Sequence, residues 1–259
     1  EVRSGRAPSA PAGRKWRRGT AVGVGAGPGD LRAGRRRRAW LALTLHRAAY
    51  RNWPSVALSL ALRHRARAVA RDGRVVEGGS ELVWQTASWL AARGRLACVE
   101  VLRVPPDPAQ PARFGARGRE AILYGWLKSS PWELEDYCSL LHVEGGSVLD
   151  VGAFVGDTAI LFALMGARRV VAVEPSPWAY SVARRNVEAN GLGDVVELVN
   201  CAVAREGGRA LMLPSGEVNT SFSALAAAGG DAPVPTCTLD SIIERYGPFD
   251  VLKMDCEGC

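Results

Sequence analysis

Apolar and polar positions change rhythm near Gly145. From there on, short runs that are apolar throughout alternate with stretches of helical spacing. "SVLDVGA" (147–153) is a compact apolar run, which predicts a strand buried on both faces. "GDTAILFALMG" (156–166) predicts an apolar helix stopped at Gly166, and "RRVVAVEP" (168–175) a second buried strand. "SPWAYSVARRNVEANG" (176–191) reads as a helix with Pro177 near its start and Tyr180, Ala183 and Val187 on one face. "VVELVNCAVA" (195–204) is a third strand, followed by a Gly-rich stretch over 205–216 and a hairpin around "ALMLPSGEVNTSFSAL" (210–225). "TLDSIIERYG" (238–247) is a helix closed at Gly247-Pro248, and "FDVLKMD" (249–255) is a fourth strand. Strand and helix alternating through short connections predict an α/β fold, a doubly wound and mostly parallel sheet with right-handed crossovers.

The preceding residues are patterned differently. Residues 40–62 are helical in character, with Pro54 opening a second helix. "VARDGRVVEGG" (69–79) predicts a hairpin turning at Asp72-Gly73. "SELVWQTASWLAARG" (80–94) predicts an amphipathic helix ending at Gly94, and "LACVEVLRV" (96–104) a strand. Pro105, Pro106, Pro108 and Pro111 mark a break, and a helical stretch with Trp126 and Trp132 leads to Gly145-Gly146. The expected organisation is a basic tail (1–39), a mixed helical and hairpin accessory region (40–144), and an α/β domain (145–259).

Composition changes this picture mainly at the N-terminus. Of the 259 residues 47% are hydrophobic and 23% charged, with a net charge of +7. Residues 1–38 carry eleven Lys and Arg against two acids, and the other 221 carry 22 against 24, so the basicity is concentrated in the tail. With few large apolar residues the tail cannot offset its ordering entropy, which predicts disorder. Such a tail suits nucleic acid or anionic lipid, or serves as a solvated extension; its Ala/Gly/Arg/Pro bias also matches translated noncoding DNA. The apolar run after Arg35–Arg38 is too short for a signal peptide, and nothing approaches the ~20 apolar residues of a membrane span. Cysteines at 98, 138, 201, 237, 256 and 259 are too sparse for a disulfide scaffold. Cys256-x-x-Cys259 lacks the following helix of a redox motif and the second ligand pair of a zinc site. A reducing, cytoplasmic setting without a metal is the expectation.

In doubly wound sheets ligands bind beyond the carboxyl ends of the strands. The first strand closes as Asp150-Val-Gly152-Ala153-Phe154-Val-Gly156-Asp157-Thr158. Gly152 permits a tight turn, and a helix starting near Gly156 points free N–H groups at that space. A P-loop needs a Gly-Lys-Ser/Thr sequence, which is absent. A dinucleotide fingerprint needs a second glycine where Phe154 stands. S-adenosylmethionine has a carboxylate and no phosphates, and suits D-x-G-x-x-x-G. Glu174-Pro175 closes the second strand 22 residues after Gly152, where an acid reaches a ribose, whether of NAD or of S-adenosylmethionine. Asn200, Cys201 and Ala202 close the third strand and could bracket an adenine edge. The candidate cofactor-binding residues are therefore Asp150, Gly152, Ala153, Phe154, Gly156, Thr158, Glu174, Pro175, Asn200, Cys201 and Ala202.

"VLDVGAFVGDTAILFALMGARRVVAVEPSP", "RRNVEANGL", "NCAVA", "TCTLDSIIERYG" and "DVLKMDCEG" together resemble the FkbM family of S-adenosylmethionine-dependent methyltransferases, in order and spacing over roughly 145–259. The resemblance implies a Rossmann-like class I methyltransferase fold and metal-free O-methylation of a hydroxyl on a sugar, glycan or small natural product. It implies that Asp150, Gly152, Gly156 and Glu174 hold the cofactor and that Asp255 and Glu257 of D-x-E-G are catalytic. Phe154 stands where the family commonly has asparagine, and Cys259 where it usually has alanine. The implied seven-stranded sheet has three further strands, so the sequence reads as C-terminally truncated, incomplete after its fourth strand. A sheet cut there is expected to aggregate through its exposed edge.

Methylating an alcohol calls for a general base. His46, His64 and His142 all precede the first strand, which leaves Asp255, Glu257 or a residue beyond Cys259. Three rivals stand beside this reading: a nucleic-acid methyltransferase or binder acting through the basic tail, an NAD enzyme, and a non-functional fragment. No aromatic–basic interleaving supports nucleic acid in the α/β half. Nothing in the sequence fixes the acceptor or the oligomeric state.

Overall fold

The computed structural model describes residues 43–217 and 229–256. The expected tail, most of the second half of the 210–225 hairpin and Glu257 lie outside these residues. The described residues all belong to one compact unit spanning 40–259.

The four buried runs form one parallel sheet. β6 (Ser147–Val151), β7 (Arg169–Val173), β8 (Val196–Val199) and β12 (Val251–Met254) lie in the order β12-β6-β7-β8. This is the 3-2-1-4 order of a doubly wound sheet, and the sheet is parallel as predicted. All five residues of β6 are buried, which explains its unbroken apolar run around one acid, Asp150. Leu149, Val151, Val171 and Val173 face one side with Ile242 of α6 (Leu239–Tyr246). Val148, Val170, Ala172 and Val196 face the other, with Ile160 to Leu164 of α4 (Asp157–Leu164). The predicted third strand divides: after β8, Ala202–Val203 forms β9, which pairs in parallel with β11 (Ala232–Cys237) in a second sheet completed by β10 (Ala210–Leu213).

The accessory region begins with helical residues 43–49 and α1 (Trp53–Ala61), which has proline in its first turn. β1 (Ala66–Val69) and β2 (Val75–Gly78) form the predicted hairpin, and α2 (Ser80–Ala92) follows. β3 (Val99–Arg103), β4 (Ala112–Ala116) and β5 (Arg119–Leu123) make an antiparallel sheet. The residue pattern gives little signal for the β4–β5 hairpin, because its turn is Arg117-Gly118 rather than Asn-Gly. Both residues have positive φ, 52° and 75°. The stretch with Trp126 and Trp132 is not one helix. Trp126–Lys128 is a 3₁₀ turn, and Ser130 then caps α3 (Pro131–Leu140) by accepting the Glu133 N–H at 3.4 Å.

α4 is buried all round because it contacts both the parallel sheet and β4–β5. One hydrophobic core therefore runs from Trp89, Phe114 and Trp126 through Phe162 to Val170 and Val196, across the expected boundary at 144/145. α5 (Pro177–Ala189) completes this layer. Asn186 and Asn190 of "RRNVEANG" hold the free edge of β5. Their side-chain oxygens accept the N–H groups of Tyr124 (2.7 Å) and Ile122 (2.8 Å), and their amides donate back to the same two carbonyls. Cys98 and Cys138 form a disulfide between the β3 entry and α3, with Cα atoms 5.9 Å apart, a departure from the expected reducing setting. Among the described residues no helix is long and apolar enough to cross a membrane.

Candidate active site

The carboxyl ends of β6, β7 and β12 converge. Asp150 is fully buried within the sheet rather than at its rim. Its register partner on β12 is Lys253, whose Nζ lies 2.9 Å from Asp150 Oδ1. Thr158 Oγ1 donates to the other carboxylate oxygen at 2.5 Å. Lys253, 6% exposed, also donates to the Gly152 carbonyl at 2.7 Å. Burial works against the charge on Lys253, but Asp150 and then the nearby Tyr137 and Asp157 carry its pKa above the ordinary value. The pair thus ties β12 to β6 and fixes the loop after β6.

That loop passes close under the end of β12. Gly152 has φ +79°, and a Cβ there would stand 2.1 Å from the Asp255 carbonyl oxygen. Only glycine meets both conditions. Ala153 and Gly156 are buried, and Phe154 has φ +49° with its ring 6.1 Å from that of Trp178. Glu174, 6% exposed at the end of β7, accepts the Phe154 N–H on one oxygen and the Ser176 N–H on the other, each at 2.8 Å. Burial pushes its pKa up to about 7, against the pull of those two N–H groups and Lys253. Pro175 is half-buried. Asn200 donates to the Glu174 and Pro175 carbonyls, so it braces the β7 turn. Cys201 and Ala202 are buried, and burial, then the Cys237 thiol, raises the Cys201 pKa.

Asp255 follows β12 and is exposed. Its carboxylate accepts a hydrogen bond from Tyr137 of α3, 118 residues away, at 3.2 Å. Tyr137 also places its ring 5.7 Å from Lys253 Nζ, and its pKa is pushed up to about 12, first by burial and then by Asp255 and Asp150 against Lys253. Glu133, one turn earlier on α3, belongs to the same group. The residue is solvent-accessible, yet crowding of its carboxyl by protein atoms, then repulsion from Asp157 and Asp255, raises its pKa. Asp157, at the start of α4, accepts from Ser129 Oγ at 2.5 Å and from the Thr158 N–H at 2.9 Å, and burial raises its pKa.

The cluster thus joins the predicted Asp150, Gly152, Phe154, Thr158, Glu174 and Asp255 with four residues the sequence reading missed: Glu133, Tyr137, Asp157 and Lys253. Lys253 had a signal, since a lysine inside a short buried strand requires an acidic partner. Asp157 stood in the quoted turn. Nothing local pointed to Glu133 or Tyr137, which lie on an ordinary amphipathic helix.

Residues 150–259 match the methyltransferase FkbM domain. Over this segment the chain is similar to FkbM methyltransferase domains. The matched residues run from Asp150, near the end of β6, through β7, β8 and β12, and include all the predicted cofactor and catalytic residues. The chain is 35% identical over 117 residues to the ribosomal protein L11 methyltransferase of Pelotomaculum thermopropionicum, covering 44% of this chain and 38% of that protein. It is 47% identical over 62 residues to the protein arginine N-methyltransferase PRMT10 of Arabidopsis thaliana, covering 24% and 16%. The chain thus spans well under half the length of these curated relatives. Among solved structures, an O-methyltransferase from Bacillus cereus in complex with SAH aligns at 24% identity and TM-score 0.31, over 49% of this chain and 45% of that one. The FkbM-like segment here comes with a front region whose α3 reaches its strand ends.

Proposed function

We propose that the protein is an S-adenosylmethionine-dependent methyltransferase that methylates a hydroxyl of a sugar, glycan or small natural product. The observation that carries the reading is the clasp of Glu174 on the Gly152–Gly156 loop. Each carboxylate oxygen takes one backbone N–H at 2.8 Å and keeps a further lone pair, as acceptance of two ribose hydroxyls requires. Gly152 lets the turn after β6 pack directly against the Asp255 backbone, and in this reading that turn holds the cofactor's short carboxylate-bearing chain. Asp157 would face that chain's ammonium group. Asp150 acts from beneath, through Lys253 and Thr158.

The cofactor, when bound, supplies an electrophilic methyl group on a sulfonium centre. The protein's task is to place the acceptor oxygen in line and remove its proton. Asp255 and Glu257 carry that role in this reading, with Tyr137 orienting Asp255. Glu133, its pKa raised by burial and by Asp157 and Asp255, is a second carboxylate beside that pair. The relatives named for ribosomal protein L11 and for arginine make a protein acceptor the second reading.

Calorimetry decides the cofactor. S-adenosylhomocysteine should bind and NAD should not, and Glu174→Ala should cost about 1–3 kcal/mol of binding. NAD binding, or an unchanged affinity in Glu174→Ala, would overturn the reading. Transfer of labelled methyl groups to a panel of sugar hydroxyls and of peptides then decides the acceptor.

A further inference from the structure

The front region carries a second concentration of chemistry, apart from the strand ends. Residues 43–119 hold thirteen arginines against five acids, whereas 120–259 hold nine Lys and Arg against nineteen acids. The net charge of −2 outside the tail thus conceals a front part at +8 and an acidic remainder at −10. Much of the positive charge gathers where the β1–β2 turn meets α2. There Arg71, Arg93 and Arg95 rim a cavity of about 250 Å³ whose floor includes Ala49, Ala70 and Leu90.

Asp72 is the carboxylate of that cavity, and Arg74 (2.8 Å) and Arg93 (3.6 Å) already share it. Arg71 is pinned by donating to the Ala48 carbonyl at 3.1 Å and the Arg47 carbonyl at 2.8 Å. Arg51 donates to the Arg71 carbonyl at 2.7 Å and so stands beside it. Arg93 also donates to the Leu102 carbonyl at 3.4 Å. Arg95 has no side-chain partner among the described residues. The guanidiniums therefore outnumber the carboxylates, and backbone acceptors, which carry no full charge, do the holding. Like charges held together with a single counter-charge among them, Asp72, create a positive potential over a concave surface. Guanidinium forks match phosphate oxygens bidentately, and forks already fixed lose little entropy on binding.

We propose that the cavity rimmed by Arg71, Arg93 and Arg95 is an anion site for phosphate groups, carried by a phosphorylated small molecule or by a nucleic-acid backbone. The site stands independently of the methyl-transfer reading. It also differs from the basic tail, since it belongs to the folded front region.

The test uses the full chain, as wild type, Arg95→Glu and Arg95→Gln. Inorganic tripolyphosphate is titrated by calorimetry, and a labelled oligouridylate by fluorescence anisotropy across a salt series. Arg95 is exposed and unpartnered, so both variants should melt with the wild type. Should the reversal to Glu unfold the chain, the neutral Gln variant carries the comparison. Tripolyphosphate should bind the wild type and weaken about tenfold on losing this guanidinium. The tail contributes equally to every variant, so only the ratio to wild type is read. If oligouridylate affinity falls as well, with its salt slope shallower by about one, the source is a nucleic-acid backbone. If tripolyphosphate alone responds, it is a small phosphorylated molecule. Failure of tripolyphosphate to bind, or equal affinities in wild type and variants, would overturn the proposal.

Discussion

At the scale of single residues, the site depends on two buried carboxylates in opposite situations. Asp150 has a full counter-charge in Lys253 at 2.9 Å. Removing one partner of a buried ion pair strands the other in a low-dielectric interior, so Lys253→Met is expected to lose about 3–5 kcal/mol of folding stability. The double variant Asp150→Asn/Lys253→Met should recover part of that loss. Denaturant melts of the three proteins measure it, and a loss below about 1 kcal/mol for Lys253→Met would show the pair to be dispensable. Glu174 has no ion-pair partner in direct contact, its carboxylate holding two N–H groups, and burial raises its pKa from 4.5 to about 7 against those groups and the more distant Lys253. A carboxyl that holds its proton more tightly folded than unfolded contributes stability that is complete below the unfolded value and is lost as pH rises through the folded one. The protein without cofactor should therefore lose on the order of 3 kcal/mol between pH 4.5 and pH 7 from this group. Cofactor binding should follow the opposite course. Ribose hydroxyls donate to the ionised form, so S-adenosylhomocysteine affinity should rise from pH 6 to pH 8. Glu174→Gln, which cannot titrate, should flatten both profiles; a binding profile that keeps its slope in this variant would assign the titration elsewhere.

At the scale of elements, α5 and β5 show how a sequence signature becomes a structural joint. Asn186 is fully buried and takes the Tyr124 N–H while donating to the Tyr124 and Val155 carbonyls. With Asn190 on Ile122 it does for the open edge of β5 what a neighbouring strand would do. Asn186→Ala leaves these backbone groups unpaired, and each buried orphan costs ~1–3 kcal/mol. The variant should lose more than about 2 kcal/mol in denaturant melts, whereas Arg184→Ala on the exposed side of α5 should change little. α3 is held in a comparable way. Glu135 accepts the N–H groups of Ala97, Cys98 and Val99, and the Cys98–Cys138 disulfide lies one residue from Tyr137. Tyr137 therefore reaches Asp255 from a helix fixed at its base.

At the scale of the whole molecule, the front region and the FkbM-like segment share one core through α4, whose residues face β6–β8 on one side and β4–β5 on the other. Calorimetry of the full chain should show a single main transition, and Phe162→Ala, which opens this shared layer, should lower it by about 3–5 kcal/mol as a unit. Two well-separated transitions would mean that the two parts fold independently. The sequence by itself determined the four buried strands, their helices and their parallel arrangement, together with Gly152 and Glu174 at the strand ends. Those features follow from local periodicity, from glycine where the backbone must turn, and from the rule that sheet ligands lie at carboxyl ends. The tertiary structure decided the rest. It paired Lys253 with Asp150, brought Tyr137 to Asp255 across 118 residues with Glu133 beside them, joined Cys98 to Cys138, and folded a hairpin whose Arg-Gly turn carries weak local preference. It also gathered scattered arginines around one cavity. The physical reason is the same in each case: these contacts depend on register and crossover between elements distant in sequence, and hydrophobic periodicity records which face of an element is buried, not which side chains it will meet there.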